Sequence, residues 1–269
     1  MKKALCFQAK EFYDKIDNFT EETFNLEMVD REICENPDNN YIQVIPYVIF
    51  QYADIESGVT SFLMYDRADS INEERLKSLS SIGFGGHIDN EEEIEYNTKE
   101  DDKYVLNAEQ LIRTVKNAAN REVKEELNID LNEYEKYLKG FSVYMGDQSV
   151  PVNQVHVAFV LQYVLPEEEI KKLKEADFNK EEIKELSFLT INLRNIFEDG
   201  LILNLRENPA SILNRDYNLE PWSLDMVINI TDYAFYNLFT NSSYDQFILS
   251  VLESIQDEEE GTESEEVAS

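Results

Sequence analysis

The sequence predicts an α/β protein on three observations. Short β-branched and aromatic runs are bounded by turn residues, a central stretch repeats apolar residues at every fourth position, and further strand-like runs lead into a helical C-terminal region. The 269 residues are 42% hydrophobic and 12% aromatic, ample for a real core.

In chain order, the first 40 residues read as an extension packed on the core. Residues 42–51, Ile-Gln-Val-Ile-Pro-Tyr-Val-Ile-Phe-Gln, are the first clear strand, and residues 61–65 follow the turn-prone Ser57-Gly58 to make a hairpin. Polar residues 66–80 lead to Ile82-Gly83-Phe84-Gly85-Gly86-His87-Ile88-Asp89, a glycine-rich strand and turn. Residues 93–103 are dominated by Glu, Asp, Asn and Lys without an apolar period, so an insertion over roughly 90–107 reads as a solvent-facing excursion. A helix starts near Ala108, because Leu111, Val115, Ala119, Val123 and Leu127 then share one face. Residues 140–145 and 154–164 are two strands joined by the loop 146–153. Pro166 opens a charged helix to about Ala176, and residues 183–189 are another strand. Helices are expected over 191–197, 222–239 and 244–255. The end, 257–269, is a biased acidic stretch that reads as a disordered tail, which leaves 41–256 as the main domain.

The net charge of −32 argues against binding a nucleic-acid backbone, which needs a basic face to displace counterions. It also motivates a rival class, an acidic decoy that imitates DNA. There is no apolar run of membrane-spanning length, and the start meets Gln8 and Lys10 too soon for a signal peptide. Cys6 and Cys34 make no metal or disulfide framework, so a reducing cytoplasm is the expected compartment.

The chemistry concentrates in Arg121-Glu122-Val123-Lys124-Glu125-Glu126-Leu127-Asn128-Ile129. On a helix Glu122, Glu125 and Glu126 share a face beside the apolar strip of Val123 and Leu127. Such a face is commonly just solvated. Alternatively a hard cation neutralises it, and oxygen-only ligands suit Mg²⁺ or Mn²⁺.

These residues resemble the signature box of Nudix (MutT-like) hydrolases: Gly, five residues, Glu, seven residues, then Arg-Glu-aliphatic-X-Glu-Glu-X-Gly-aliphatic. The second half matches throughout except that Asn128 replaces the glycine, and Asn also adopts the left-handed conformation that ends a helix. In the first half Gly86 and Glu92 are correctly spaced, but 28 residues, 93–120, stand where the box has seven. Gln43-Val44-Ile45-Pro46-Tyr47-Val48, Ser81 to Ile88, Val155-His156-Val157-Ala158 and Glu220-Pro221-Trp222-Ser223 resemble a subgroup of predicted Nudix phosphoesterases with His after paired glycines.

The resemblance implies an α/β/α sandwich with a mixed sheet, an insertion inside the box and extra C-terminal helices. It implies a hydrolase that cleaves a pyrophosphate bond by water attack at phosphorus, with Mg²⁺ or Mn²⁺ bound. Glu122, Glu125 and Glu126 would be metal ligands with the Gly86 carbonyl, and Glu125 or Glu126 would also orient or deprotonate the water. Arg121 would tie the loop to the helix through a carboxylate, expected to be Glu92. His87 would bond a phosphate oxygen, act as acid or base, or brace the loop. His156 points into a cleft or a satisfied polar niche, the niche being favoured, and Asp147 or Glu185 is a candidate further ligand. Trp222 reads as core rather than a base-stacking platform. The aromatic run 233–239 reads as packing or a subunit contact, which leaves a homodimer open. The substrate would be a nucleotide or another diphosphate-containing small molecule. The rival is a catalytically idle Nudix-like binding protein.

Overall fold

The computed structural model describes residues 2–54, 58–68, 77, 79–192 and 218–240, the side chains of 231–240 excepted. In chain order it runs β1 (Lys3–Gln8), α1 (Ala9–Lys15), β2 (Thr23–Asp30), α2 (Arg31–Cys34), β3 (Tyr41–Asp54), β4 (Val59–Arg67), β5 (Ser80–Ser81) and β6 (Gly83–Phe84). Then come β7 (Thr98–Glu100), β8 (Lys103–Asn107), α3 (Ala108–Leu127), β9 (Leu138–Tyr144), β10 (His156–Val164), α4 (Glu167–Lys174), β11 (Ile183–Asn192) and α5 (Pro221–Thr240). The chain divides into two units after Ser223, and everything below belongs to the first except the continuation of α5. No helix among the described residues is long and apolar enough to cross a membrane.

The strands form one mixed sheet organised on β3. Over its 14 residues β3 pairs antiparallel with β1 at Tyr41–Gln43, parallel with β10 from Gln43 to Gln51, antiparallel with β6 at Val48–Ile49, and antiparallel with β4 from Gln51 to Asp54. The sheet continues through β1, β2, β8 and β7 on one side and through β4 and β11 on the other, while β9 lies outside β10. Side chains on β3 alternate with period two. Ile42, Val44, Val48 and Phe50 enter the main core, whereas Gln43 and Tyr47 turn to the opposite face and meet His156 and Ser223.

Pro46 explains where β3 changes partner. The Gln43 N–H points to the Val155 carbonyl on the β10 side, 2.8 Å away, so by alternation the N–H that Pro46 lacks belongs to the other edge. That edge is vacant between the pairing with β1 at Gln43 and with β6 at Val48. The glycine loop fills the gap: a Cβ on Gly85, whose φ is +148°, would fall 2.1 Å from the Pro46 carbonyl oxygen.

The helix α3 starts at a reciprocal cap, with the Asn107 side chain accepting from the Gln110 N–H and the Gln110 side chain from the Asn107 N–H. It ends at Asn128, left-handed at φ 54°, whose N–H reaches the Lys124 carbonyl. Asn128 therefore does the conformational work for which glycine is the usual residue at a helix end. Leu111, Val115, Ala119, Val123 and Leu127 are all fully buried against the sheet.

Several expectations need correction. The insertion is not a solvent-facing excursion: β7 and β8 form a hairpin that extends the sheet from β2, and Tyr104 and Leu106 are fully buried. Its apolar alternation spans too few residues to show as a period, and the outer strand Thr98–Glu100 is wholly exposed. Residues 3–30, read as an extension, supply β1 and β2 within the sheet. Residues 191–192, expected to open a helix, instead complete β11, because β4 supplies ladder partners through Val59. The remainder of that expected helix, most of the polar run 66–80, the helix expected over 244–255 and the acidic tail lie outside the described residues.

If the insertion hairpin is part of the core, Leu106→Ala lowers stability by about 2–5 kcal/mol in urea unfolding. A shift below about 0.5 kcal/mol would mean that the hairpin is peripheral.

Candidate active site

The last two turns of α3 face the loop that follows β6, and Arg121 joins them. Its Nε donates to Glu93 at 2.5 Å, Nη1 to Glu122 at 2.8 Å and to Glu125 at 3.4 Å, and Nη2 to the His87 carbonyl at 2.9 Å, with Asp89 at 3.3 Å. The expected partner, Glu92, is exposed and takes no part in this set. A 3-10 turn over Glu91–Glu93, capped by the Asn90 side chain, sends Glu93 inward to 7% exposure and leaves Glu91 and Glu92 outside. Burial raises the Glu93 carboxyl despite the guanidinium beside it. Two further bonds bind this turn and the residues after it to α3: the Asn117 amide donates to the Glu93 carbonyl, and the Glu95 N–H to Thr114 Oγ1.

The glutamates differ in environment. Glu122 is largely buried, and loss of water pushes its carboxyl up to about 7 against the opposing pull of Arg121. Gly86 allows this approach, since a Cβ there would fall 2.7 Å from the Glu122 carboxylate. Glu126 is 5% exposed, and its Oε2 has no hydrogen-bond partner. Desolvation, then the charges of Glu122 and Glu182, hold its carboxyl well above the usual range, with Arg67 and the Gly85 N–H in opposition. Glu125 is open to solvent, with 58% of its side chain exposed.

His87 lies half-buried with its ring 5.6 Å from that of His156, and its Nε2 is enclosed without a partner. Desolvation, Arg31 and His156 push it down to about 3, so its imidazole is neutral at ordinary pH. His156 occupies a polar niche. Its Nδ1 donates to the Val152 carbonyl at 2.8 Å, which leaves Nε2 to accept from the Gln43 amide at 3.1 Å. Trp222 is half-buried rather than core, and its indole N–H donates to Asn153 Oδ1 at 2.8 Å. Asp147 is exposed and caps its own turn through the Ser149 N–H, and Glu185 is exposed on β11. Neither is among the groups that act most strongly on Glu122 or Glu126.

Three contributors escaped the sequence reading. Asn179 donates its N–H to the Glu126 carbonyl at 2.8 Å and its amide to Glu182, which brings Glu182 near Glu126. Nothing in the local sequence marks that convergence. Arg67 was equally unmarked, although its partner Glu220 sits in a motif the sequence does display.

The donor chemistry suits a hard divalent cation: carboxylate oxygens, one of them buried and unpartnered, beside a glycine backbone. The arrangement is incomplete as it stands. Among the described residues no three acidic, His or Cys side chains converge on one point, because Glu122 and Glu125 both turn to Arg121.

No protein-family model matches the chain, and no curated protein matches it. Among solved structures it is similar to Tm1382, provisionally described as a Nudix hydrolase, at 16% identity over 85% of this chain and 100% of that one, with a TM-score of 0.43. It is also similar to a MutT/Nudix family protein from Enterococcus faecalis, at 11% identity over 77% of this chain and 67% of that one, with a TM-score of 0.43.

Glu122 sets a pH dependence. Its folded value of about 7 lies above the ordinary 4.5, so the stability it contributes is complete below pH 4.5 and is lost as pH rises through 7. With a chelator present, Glu122→Gln therefore gains on the parent over that interval by on the order of 3 kcal/mol. Melting temperatures read across the interval check this, and parallel curves for the two proteins would refute it.

Proposed function

We propose that this protein is a divalent-metal-dependent hydrolase of the Nudix type, which cleaves a pyrophosphate bond in a nucleotide or another diphosphate-containing small molecule by attack of water at phosphorus. One observation carries the reading. Glu122 and Glu126 are held out of water at the end of α3, against the backbone of Gly85 and Gly86, with more negative charge than Arg121 and Arg67 offset nearby. The match of Arg121-Glu122-Val123-X-Glu125-Glu126 to the box supports it.

Glu122, Glu125, Glu126 and the Gly86 carbonyl would hold Mg²⁺ or Mn²⁺. Such an ion, when bound, neutralises diphosphate charge and acidifies a water. Glu125 or Glu126 would also orient or deprotonate the attacking water, and the greater accessibility of Glu125 favours it for that role. Arg121 keeps the loop against the helix through Glu93 and the His87 carbonyl. His87, neutral at working pH, serves a phosphate oxygen as a hydrogen-bond partner rather than as a cation. The −32 charge makes a free small molecule a better fit than a nucleic-acid backbone. A reducing cytoplasm remains the proposed compartment. The aromatic run 233–239, the basis for a homodimer, has no described side chains.

The competing reading is a binding protein without turnover. It is favoured by the engagement of Glu122 and Glu125 with Arg121. Assaying phosphate or nucleotide release from nucleoside di- and triphosphates, dinucleoside polyphosphates and nucleotide sugars, with Mg²⁺ or Mn²⁺, separates the two. The hydrolase turns over at least one of these, and the double variant Glu125→Gln with Glu126→Gln loses at least about a hundredfold in kcat. Absence of turnover throughout, or turnover unaffected by the double variant, would favour the binding protein.

A further inference from the structure

The segment Glu220-Pro221-Trp222-Ser223 lies outside the box, yet its polar side chains end beneath the glycine strand. Glu220 is 6% exposed and Ser223 is fully buried. The Ser223 Oγ accepts from the Ile82 N–H at 3.0 Å and from the Tyr47 hydroxyl at 2.9 Å, and donates to Glu220 Oε1 at 3.1 Å. The Ser81 hydroxyl donates to the same Glu220 oxygen at 2.7 Å and accepts from the Gly83 N–H at 3.1 Å. Glu220 Oε2 takes the Arg67 guanidinium at 2.9 Å. This assignment gives every hydroxyl one acceptor and leaves neither Glu220 oxygen bare, the condition under which a buried network holds a single geometry.

The backbone reinforces the arrangement. The Glu220 N–H donates to the Ser80 carbonyl at 2.9 Å, and the Ser80 N–H to the Asn218 carbonyl at 2.8 Å, so residues 218–220 lie alongside β5 as a short parallel bridge. Tyr47 closes the other side, because a Cβ on Gly83 would fall 1.8 Å from its ring. The held strand leads directly to Gly85 and Gly86, which meet the Pro46 carbonyl and the Glu122 carboxylate. Ile82 is thus bonded from below by a side chain 141 residues further along the chain, while Gly83 is bonded by Ser81, whose hydroxyl Glu220 holds in turn.

We infer that Ser223 and Glu220 are positioning residues: through Ile82, Ser81 and Gly83 they set the height of the Gly85-Gly86-His87 loop above Glu122 and Glu126. The positioning itself stands on the hydrogen bonds, while its consequence for turnover rests on the hydrolase reading. Ser223 touches no residue assigned to the chemistry, so its effect must pass through the loop. Removing its hydroxyl strands the buried Ile82 N–H and one Glu220 lone pair.

The test uses the full chain with Ser223→Ala, and Glu220→Gln as a second variant that preserves shape while discharging the pair with Arg67. Amide hydrogen exchange and steady-state kinetics are read on each. The expected result is exchange about tenfold faster in residues 82–87, with the interior of α3 unchanged, and kcat about tenfold lower at an unaltered KM. Exchange that is unchanged in 82–87, or that rises equally in α3, overturns the positioning role, as does a loss confined to KM. Should Ser223→Ala fail to fold, Glu220→Gln decides by the same criteria. If the parent hydrolyses none of the substrates offered, the hydrolase reading fails, while local exchange still decides the positioning.

Discussion

Arg121 meets an electrostatic problem that the fold creates for itself. A chain of net charge −32 takes Glu93, Glu122 and Glu126 largely out of water around the end of α3, and desolvation alone would drive all three towards protonation. The planar guanidinium distributes its donors among Glu93, Glu122, Glu125 and the His87 carbonyl, a spread that a lysine's compact ammonium could not span. The contact with Glu93 ties α3 to the start of the insertion, and the contact with His87 spans the distance from loop to helix. Arg121 is consequently the point at which the glycine loop and the end of α3, separated in sequence, become one structure. Glu126 lies farther in, where its offset comes from Arg67 and the Gly85 N–H instead.

That arrangement is possible because β3 leaves room for it. Pro46 cannot donate to the edge where β1 ends and β6 begins, so the strand offers a carbonyl and a gap there, and Gly85 enters it. On the opposite face Tyr47 and Gln43 reach the Glu220–Ser223 network and His156. One strand thus governs both sides of the loop: its backbone receives the glycines, and its odd-numbered side chains support the strand that delivers them. The insertion, meanwhile, extends the sheet beyond β2 and leads into the capped start of α3.

The helix and its charged face were legible in the sequence because both depend on local periodicity. Leu111 to Leu127 repeat at helical spacing, Asn128 is a residue that tolerates the left-handed cap, and Glu122, Glu125 and Glu126 share a face whatever surrounds them. Strands β3, β4, β9, β10 and β11 were legible for the same reason, each long enough to show its β-branched character. The hairpin β7–β8 was not, since an exposed edge strand has the composition of a loop and only β2 beside it makes it a strand.

Which carboxylate answers Arg121 illustrates the same division. Spacing from Gly86 points to Glu92, yet the turn at Asn90 rotates Glu93 inward, a difference of one residue that only the path of the chain decides. Arg67, Asn179, Glu182, Glu220 and Ser223 reach the site from strands and segments far apart in sequence, and no local pattern encodes such a meeting. The sequence by itself determined the secondary structure of the long elements and the chemical character of the acidic face, because those follow from neighbours along the chain. Tertiary structure alone decided which charges are buried, which cation offsets each and what holds the glycine loop, because burial and pairing depend on neighbours in space.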